Sequence, residues 1–387
     1  MAGYAGVRLF GLVVLWLWAR RRGTTAYHRL TDWDTGWYLR VAERGYDHAL
    51  VVHRHTGHVV PSDLAFFPLY PALLRAVHEV SPLTLVQSAL LVTEVCALLA
   101  AWGIHHVAAR LHGGRAAVLA AVLWGCWPVA IVENMAYSES VMTACAAWAL
   151  YAVLTGRWLW AGVLASLAGL SRPSGGSAAA GVVAGALAAL GLLLWRGWTG
   201  RRPAGRWAGL VPGVPAAGRG WWRPALGAVL APLGWLGYIV WVGRRIGRPD
   251  GYFVVQRAWH STFDYGASTW RQIAGVFANG DGHPTAVLLV AAVLIGGVAL
   301  LLISAVTLQP LPLPVYSLAL LVISLGDSEY FVSRARFLLP AFPLLLPIAV
   351  AVARLRSGAV RAIVLSSAAV LSAFLGGYLL LVWVHAP

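Results

Sequence analysis

The chain has 387 residues, of which 59% are hydrophobic and 11% charged, with a mean hydropathy of +0.72 and a formal net charge of +15. Such a composition excludes an ordinary soluble globular domain and points to a membrane protein built of many apolar helices. It also excludes a nucleic-acid reading of the charge: all 29 basic residues are Arg, set at the ends of apolar runs and in loops, where they meet lipid phosphates and help fix topology.

A bilayer-spanning helix needs about 20 mostly apolar residues. The first apolar run, Tyr4 to Ala19, ends in Arg20-Arg21-Arg22 and lacks a small-residue cleavage site, so it reads as a retained first span. A polar stretch follows, the first outer loop, 20–83. Further spans are expected at 84–109, 116–133, 138–155, 158–170, 176–195, 225–243, 286–303, 314–326, 337–354 and 362–384. That gives about eleven, of which 158–170 and 314–326 are short for a crossing and read equally as re-entrant pieces. Between them lie a basic linker, 196–224, and a second outer loop, 244–285. The whole reads as a single polytopic domain, all-α.

With the N-terminus in the cytoplasm, the inner segments hold Arg8, Arg110, Arg115, Arg157, six Arg between Arg196 and Arg223, and Arg354, Arg356 and Arg361, with no Asp or Glu. This is the sense of the positive-inside rule. Arg20 to Arg22 fall on the other side and run against it. Cys96, Cys126 and Cys145 all lie in apolar runs and read as small hydrophobes, neither disulfides nor ligands.

Chemistry concentrates first at Thr31-Asp32-Trp33-Asp34-Thr35-Gly36-Trp37-Tyr38-Leu39-Arg40. Apolar spacing predicts a helix over 35–44, ended by Gly45 and lying along the membrane surface with its Trp among headgroups. Asp34 is either its N-cap or a general base at the membrane edge. The same outer face receives Glu133-Asn134-Met135-Ala136-Tyr137-Ser138-Glu139-Ser140, Ser171-Arg172-Pro173, and Ser333-Arg334-Ala335-Arg336-Phe337-Leu338-Leu339-Pro340. Ionisable residues at a membrane edge are costly unless paired or solvated, so four such segments on one face read as a functional site. Glu94, near the middle of the second span, reads as a structural partner of an Arg from another helix. His53, His55 and His58 lie in an alternating, hairpin-like stretch around Thr56-Gly57; a metal site there is geometrically possible, and solvated loop histidines are the commoner case.

These segments resemble a known family. Asp32-Trp33-Asp34 with Trp37 to Ala42 and Gly45-Tyr46, then Phe66-Phe67-Pro68-Leu69-Tyr70-Pro71, Tyr137-Ser138-Glu139-Ser140, Ser171-Arg172-Pro173 and Arg336-Phe337-Leu338-Leu339-Pro340, resemble in order the motifs of the PIG-V-like mannosyltransferases. These are bacterial relatives of the enzyme that adds the second mannose in GPI-anchor assembly. Gln256 and Trp259 also match, whereas Ser171 stands where Thr is expected. The resemblance implies a GT-C glycosyltransferase that uses a polyprenyl-phosphate sugar at the extracytoplasmic face of a bacterial plasma membrane, with inversion. The acceptor is a glycan, glycolipid or protein. Asp34 takes the part of base and Asp32 that of its partner. Arg172, Arg336 and Arg334 are assigned to the donor phosphate. Glu133 and Glu139 either bind acceptor hydroxyls or pair with those arginines, Tyr137 either stacks on a sugar or sits at the interface, and Gln256 is placed with the sugar-binding group. No metal ligand is assigned; a divalent ion is compatible with the chemistry but unsupported. The competing class is a transporter or lipid flippase, which span count and intramembrane charge also suit; the absence of acidic residues from the inner side argues against it.

Overall fold

In the computed structural model, residues 1–53, 57, 59–200, 210, 220–279, 282–383 and 386 are described. His55 and His58, and nearly all of the 201–219 stretch of the basic linker, lie outside them. Among the described residues the chain is helical throughout, with only two isolated antiparallel bridges, Val52 with Val59 and Phe263 with Asp327.

Helix α1 (Ala2–Arg21) leads into the first long connection, which carries α2 (Ala26–Leu30), α3 (Asp34–Arg44) and α4 (Leu69–Glu79). Helix α5 (Leu85–Gly125) starts on a capping box, in which Thr84 Oγ1 accepts from the Gln87 N–H and Gln87 Oε1 from the Thr84 N–H. It breaks at Gly113, whose φ of 82° no ordinary helical residue adopts, so the expected 84–109 and 116–133 spans abut across a kink. The second ends at Gly125, and a 3-10 turn, Ala130–Asn134, replaces its last residues. There follow α6 (Glu139–Leu154), α7 (Trp158–Gly169), α8 (Gly176–Thr199), α9 (Trp222–Leu230) and α10 (Leu233–Arg245). The next connection carries α11 (Gly251–Ala258) and α12 (Ala267–Asn279). The chain then runs through α13 (Thr285–Val306), α14 (Pro312–Gly326), α15 (Arg334–Phe337), α16 (Leu346–Arg354) and α17 (Gly358–Leu381).

Every expected apolar run thus carries helix, though 116–133 and 337–354 are broken by turns, and the count of eleven crossings does not follow. Six helices among the described residues are long and apolar enough to cross a bilayer, with α9 and α10 counted as one run, Trp222–Arg245, or seven if the bent pair Phe331–Phe337 and Phe342–Arg354 makes one span. That pair turns through 77°, and Glu139–Leu154, Trp158–Gly169 and Pro312–Gly326 are shorter. Apolar length in sequence is blind to such kinks and bends.

Small residues let the helices approach closely, as lipid-embedded bundles require. Where α7 meets α9, a Cβ on Gly162 would lie 2.7 Å from the Gly227 carbonyl oxygen, and one on Gly227 would lie 2.6 Å from that of Trp158. Arg8, expected near the cytoplasmic end of the chain, instead lies within α1 and is buried. Its guanidinium meets Glu133 at 3.5 Å, the Gly125 carbonyl at 3.1 Å and the Asn134 side chain. Tyr4 donates to Glu133 (2.7 Å), and Asn134 donates to Glu94 (2.6 Å). Glu94 therefore reaches an arginine of another helix through Asn134, and a low-dielectric interior keeps the group together because each charge would be costly alone.

Helix α3 begins one residue before the expected start and ends at Gly45, whose φ is 78°. One face of it packs against the rest of the chain. Thr35, Tyr38, Val41 and Ala42 are buried; Tyr38 sits edge-on to Tyr70, and the Tyr70 hydroxyl bonds Thr93 (2.8 Å) and the Ala89 carbonyl (3.1 Å) of α5. Trp37 stacks on Phe66 and meets Trp259 edge-on at 5.0 Å. The first connection is thereby docked onto the bundle and onto the second one.

Candidate active site

Asp34 is the first residue of α3, not its cap. Trp33 holds the N-cap position with φ 56°, a left-handed conformation uncommon in a residue other than glycine. This turn parts the two carboxylates: Asp32 goes to Arg29 (3.2 Å) and His28 (3.6 Å), while Asp34 Oδ2 receives Nη1 of Arg336 at 2.8 Å. The capping expectation fails because the Asp34 carboxylate has a cation 302 residues away instead of its own helix amides.

Arg336 is buried, and its Nε faces Glu139 Oε1 at 3.3 Å. The same oxygen takes Nη1 of Arg172. Two guanidinium groups and two carboxylates therefore form one chain, Asp34–Arg336–Glu139–Arg172, whose formal charges cancel. Aromatic rings hold it in place. The Phe337 ring lies 5.4 Å from the Arg336 guanidinium and 5.5 Å from that of Arg172, and the Tyr137 ring lies 5.0 Å from Arg336. The Tyr137 hydroxyl accepts the Asp34 N–H at 3.4 Å. Tyr137 is thus buried beneath the ion pairs rather than placed at an interface.

Asp34, Arg336 and Arg172 open onto a cavity of about 450 Å³. Its walls include Phe66, Trp235, Trp259 and Phe337, and Gln256 is among its polar residues. Gln256 Nε2 donates to the Tyr252 hydroxyl at 2.6 Å. A mostly apolar surface onto which polar groups converge is the usual form of a small-molecule site. Nε of Arg172 is buried without a hydrogen-bond acceptor among the described residues, so this cation retains donor capacity.

Three expected members stand elsewhere. Arg334 is two residues before Arg336 in α15, so it projects from the far side of the helix. It is fully buried against Thr269, Ser268 Oγ (3.0 Å) and the Asp327 carbonyl, and does not line the cavity. Glu133 pairs with Arg8 and Tyr4 rather than with Arg172 or Arg336. Asp32 pairs with Arg29 and His28 and does not line the cavity. Conversely, Phe337 and Asp327 line the cavity although neither is assigned a role in the sequence reading. Phe337 adjoins Arg336 in its motif, and Asp327 is the first acidic residue after a long apolar run; both signals are legible but weak. No group of three or more His, Cys, Asp or Glu placed to hold a metal occurs among the described residues.

No protein-family model and no curated protein matches the chain. Solved structures do match its fold. ArnT from Cupriavidus metallidurans bound to undecaprenyl phosphate matches with a TM-score of 0.53 and 16% identity, over 94% of this chain and 62% of that one. The Archaeoglobus fulgidus oligosaccharyltransferase in complex with Zn and sulfate matches with a TM-score of 0.51 and 15% identity, over 96% of this chain and 53% of that one. The chain thus spans less than two thirds of either. At such identities the likeness is one of fold, and with the apolar helices it makes this chain an integral membrane protein with a GT-C-like helical bundle.

Proposed function

We propose that the protein is a membrane glycosyltransferase of the PIG-V-like kind, moving mannose from a polyprenyl-phosphate donor to an acceptor hydroxyl at the extracytoplasmic face. The observation that carries this reading is the convergence of Asp34, Arg336 and Arg172 on one aromatic-walled cavity. The likeness in fold to ArnT bound to undecaprenyl phosphate supports a lipid-phosphate donor. Membrane lipids, the lipid-linked sugar and a glycan, glycolipid or protein acceptor are the partners this chemistry requires.

In the proposed reaction the acceptor O–H gives its proton to the Asp34 carboxylate while its oxygen bonds the anomeric carbon. The bond from that carbon to the phosphate oxygen breaks, and its electron pair leaves with the lipid phosphate. Attack opposite the leaving group inverts the centre. Arg172 and Arg336 stabilise the departing anion, guanidinium being suited to bidentate phosphate contacts. The Asp34–Arg336 ion pair gives this sequence an order. A donor phosphate that engages Arg336 takes the cation from Asp34 and leaves its carboxylate free to act as base. Glu139 keeps both guanidinium groups oriented, and no step is routed through a metal.

The test is transfer of mannose from polyprenyl-phosphate mannose by membranes carrying the protein. Asp34→Asn is expected to lower transfer by about 10²–10⁴-fold, the usual contribution of a general base, with insertion and folding retained. Full activity in that variant would overturn the assignment.

A further inference from the structure

One part of the cavity wall comes from elements that carry none of Asp34, Arg172 and Arg336. The connection between α11 and α12 contributes Ser261 and Phe263, and the segment after α14 contributes Asp327 and Tyr330. The two segments are joined as a short antiparallel pair: Asp264 N–H donates to the Gly326 carbonyl and Ser328 N–H to that of Thr262, both at 2.8 Å. Arg334 ties the Asp327 carbonyl from beneath, and Ser268 Oγ donates to it at 3.1 Å. His260 and Tyr330 flank this pair with φ of 60° and 52°, and the Tyr330 hydroxyl donates to the Trp259 carbonyl at 2.9 Å. Left-handed conformations in residues other than glycine cost energy and persist where surrounding bonds over-determine them, as here.

Within this fixed frame Asp327 is half satisfied. Its Oδ1 accepts from Ser261 Oγ (3.1 Å) and from the Glu329 N–H (3.3 Å), which leaves the carboxylate with acceptor capacity at Oδ2. Burial raises its carboxyl above the ordinary range, against the hydrogen bonds from Glu329, Ser261 and the Ser328 backbone and the charge of Arg334. The Tyr330 hydroxyl is likewise raised, by burial first and then by the charges of Asp34, Glu329 and Asp327, so two cavity carboxylates act on one phenol. Trp259, Phe263 and Tyr330 supply flat apolar faces in the same cavity, and Gln256 a second polar side chain.

We propose that Asp327 is a substrate-binding carboxylate whose Oδ2 accepts hydroxyl groups of the donor sugar, orienting the ring while its phosphate lies at Arg336 and Arg172. A carboxylate with acceptor capacity beside aromatic faces suits a polyhydroxylated ring, whose hydroxyls donate and whose C–H faces pack on apolar surface. A preformed acceptor of this kind discriminates, because a ring lacking the matching hydroxyl leaves a desolvated carboxylate unpaired. This inference rests on the glycosyltransferase reading above.

The experiment uses the full-length chain in detergent and thermal stabilisation by two probes, farnesyl phosphate and farnesyl-phosphate mannose. In the parent both bind, the mannosyl lipid more tightly. Asp327→Asn, which keeps an acceptor for Ser261 and Glu329, is expected to weaken the mannosyl lipid by roughly tenfold or more and leave farnesyl phosphate unchanged. Monodeoxy-mannosyl lipids give a readout that needs no variant: loss of one particular hydroxyl should weaken binding to the parent by a similar factor. An unchanged preference in Asp327→Asn, equal loss for both probes, or parent affinity indifferent to every deoxy position would overturn the subsite while leaving the phosphate site standing. A parent that binds neither probe would overturn the glycosyltransferase reading and the subsite with it.

Discussion

Glu139→Gln removes one charge from a group of four, three of them buried, and its cost follows from the geometry. Glu139 Oε1 serves both Arg172 and Arg336, and the three side chains are only 2%, 9% and 7% exposed. Two unit charges about 4 Å apart interact by about 4 kcal/mol at an effective dielectric near 20. Removing one partner of a buried pair costs about 3–5 kcal/mol. Gln keeps the volume and one carbonyl acceptor, so the lower end, about 3 kcal/mol, is expected. The same change moves the group from neutral to one net positive charge, which favours an anionic ligand. Thermal unfolding in detergent, with and without undecaprenyl phosphate, reads both effects: a lower midpoint for the free variant and a larger upward shift on adding the lipid. A variant as stable as the parent, or one with a smaller lipid-induced shift, would refute the reasoning.

Arg8→Met strands Glu133 in the interior and should cost about 3–5 kcal/mol. The double variant Arg8→Met with Glu133→Leu should regain most of it; comparable losses in both would show that charge pairing is not the cause. Gly162→Ala forces a Cβ to 2.7 Å from the Gly227 carbonyl oxygen and 2.9 Å from Leu230 Cβ. It is expected to destabilise by about 1–3 kcal/mol, whereas Gly191→Ala, with open space around it, should be neutral or mildly stabilising; midpoints of the two variants decide. Burial raises the carboxyl of Asp63, opposed by the Asp47 N–H that it accepts at 2.9 Å. The folded chain thus holds this proton more tightly than the unfolded chain. The contribution is complete below the unfolded carboxylate range and is lost as pH rises through the raised folded value. Asp63→Asn should flatten that part of the midpoint–pH curve, and parallel curves for parent and variant would count against it.

Periodicity and apolar length carried the helices, the membrane class and the span of α3 to within one residue, because these depend on neighbours in the chain. The motif residues Asp34, Arg172 and Arg336 were legible as a set, since charges beside apolar runs demand an explanation. Their partners were not. Asp34 meets Arg336 across 302 residues, and Arg8 meets Asn134 across 126. Which carboxylate neutralises which guanidinium is set by how bent helices cross, not by local pattern. Helical phase separated Arg334 from Arg336, and the left-handed Trp33 separated Asp32 from Asp34. Asp327 gained its place only when two distant connections joined edge to edge. Local sequence thus determined that this chain is an apolar helical bundle with ionisable edges. Tertiary structure decided which of those edges meet, because a buried charge settles where the fold brings its counter-charge.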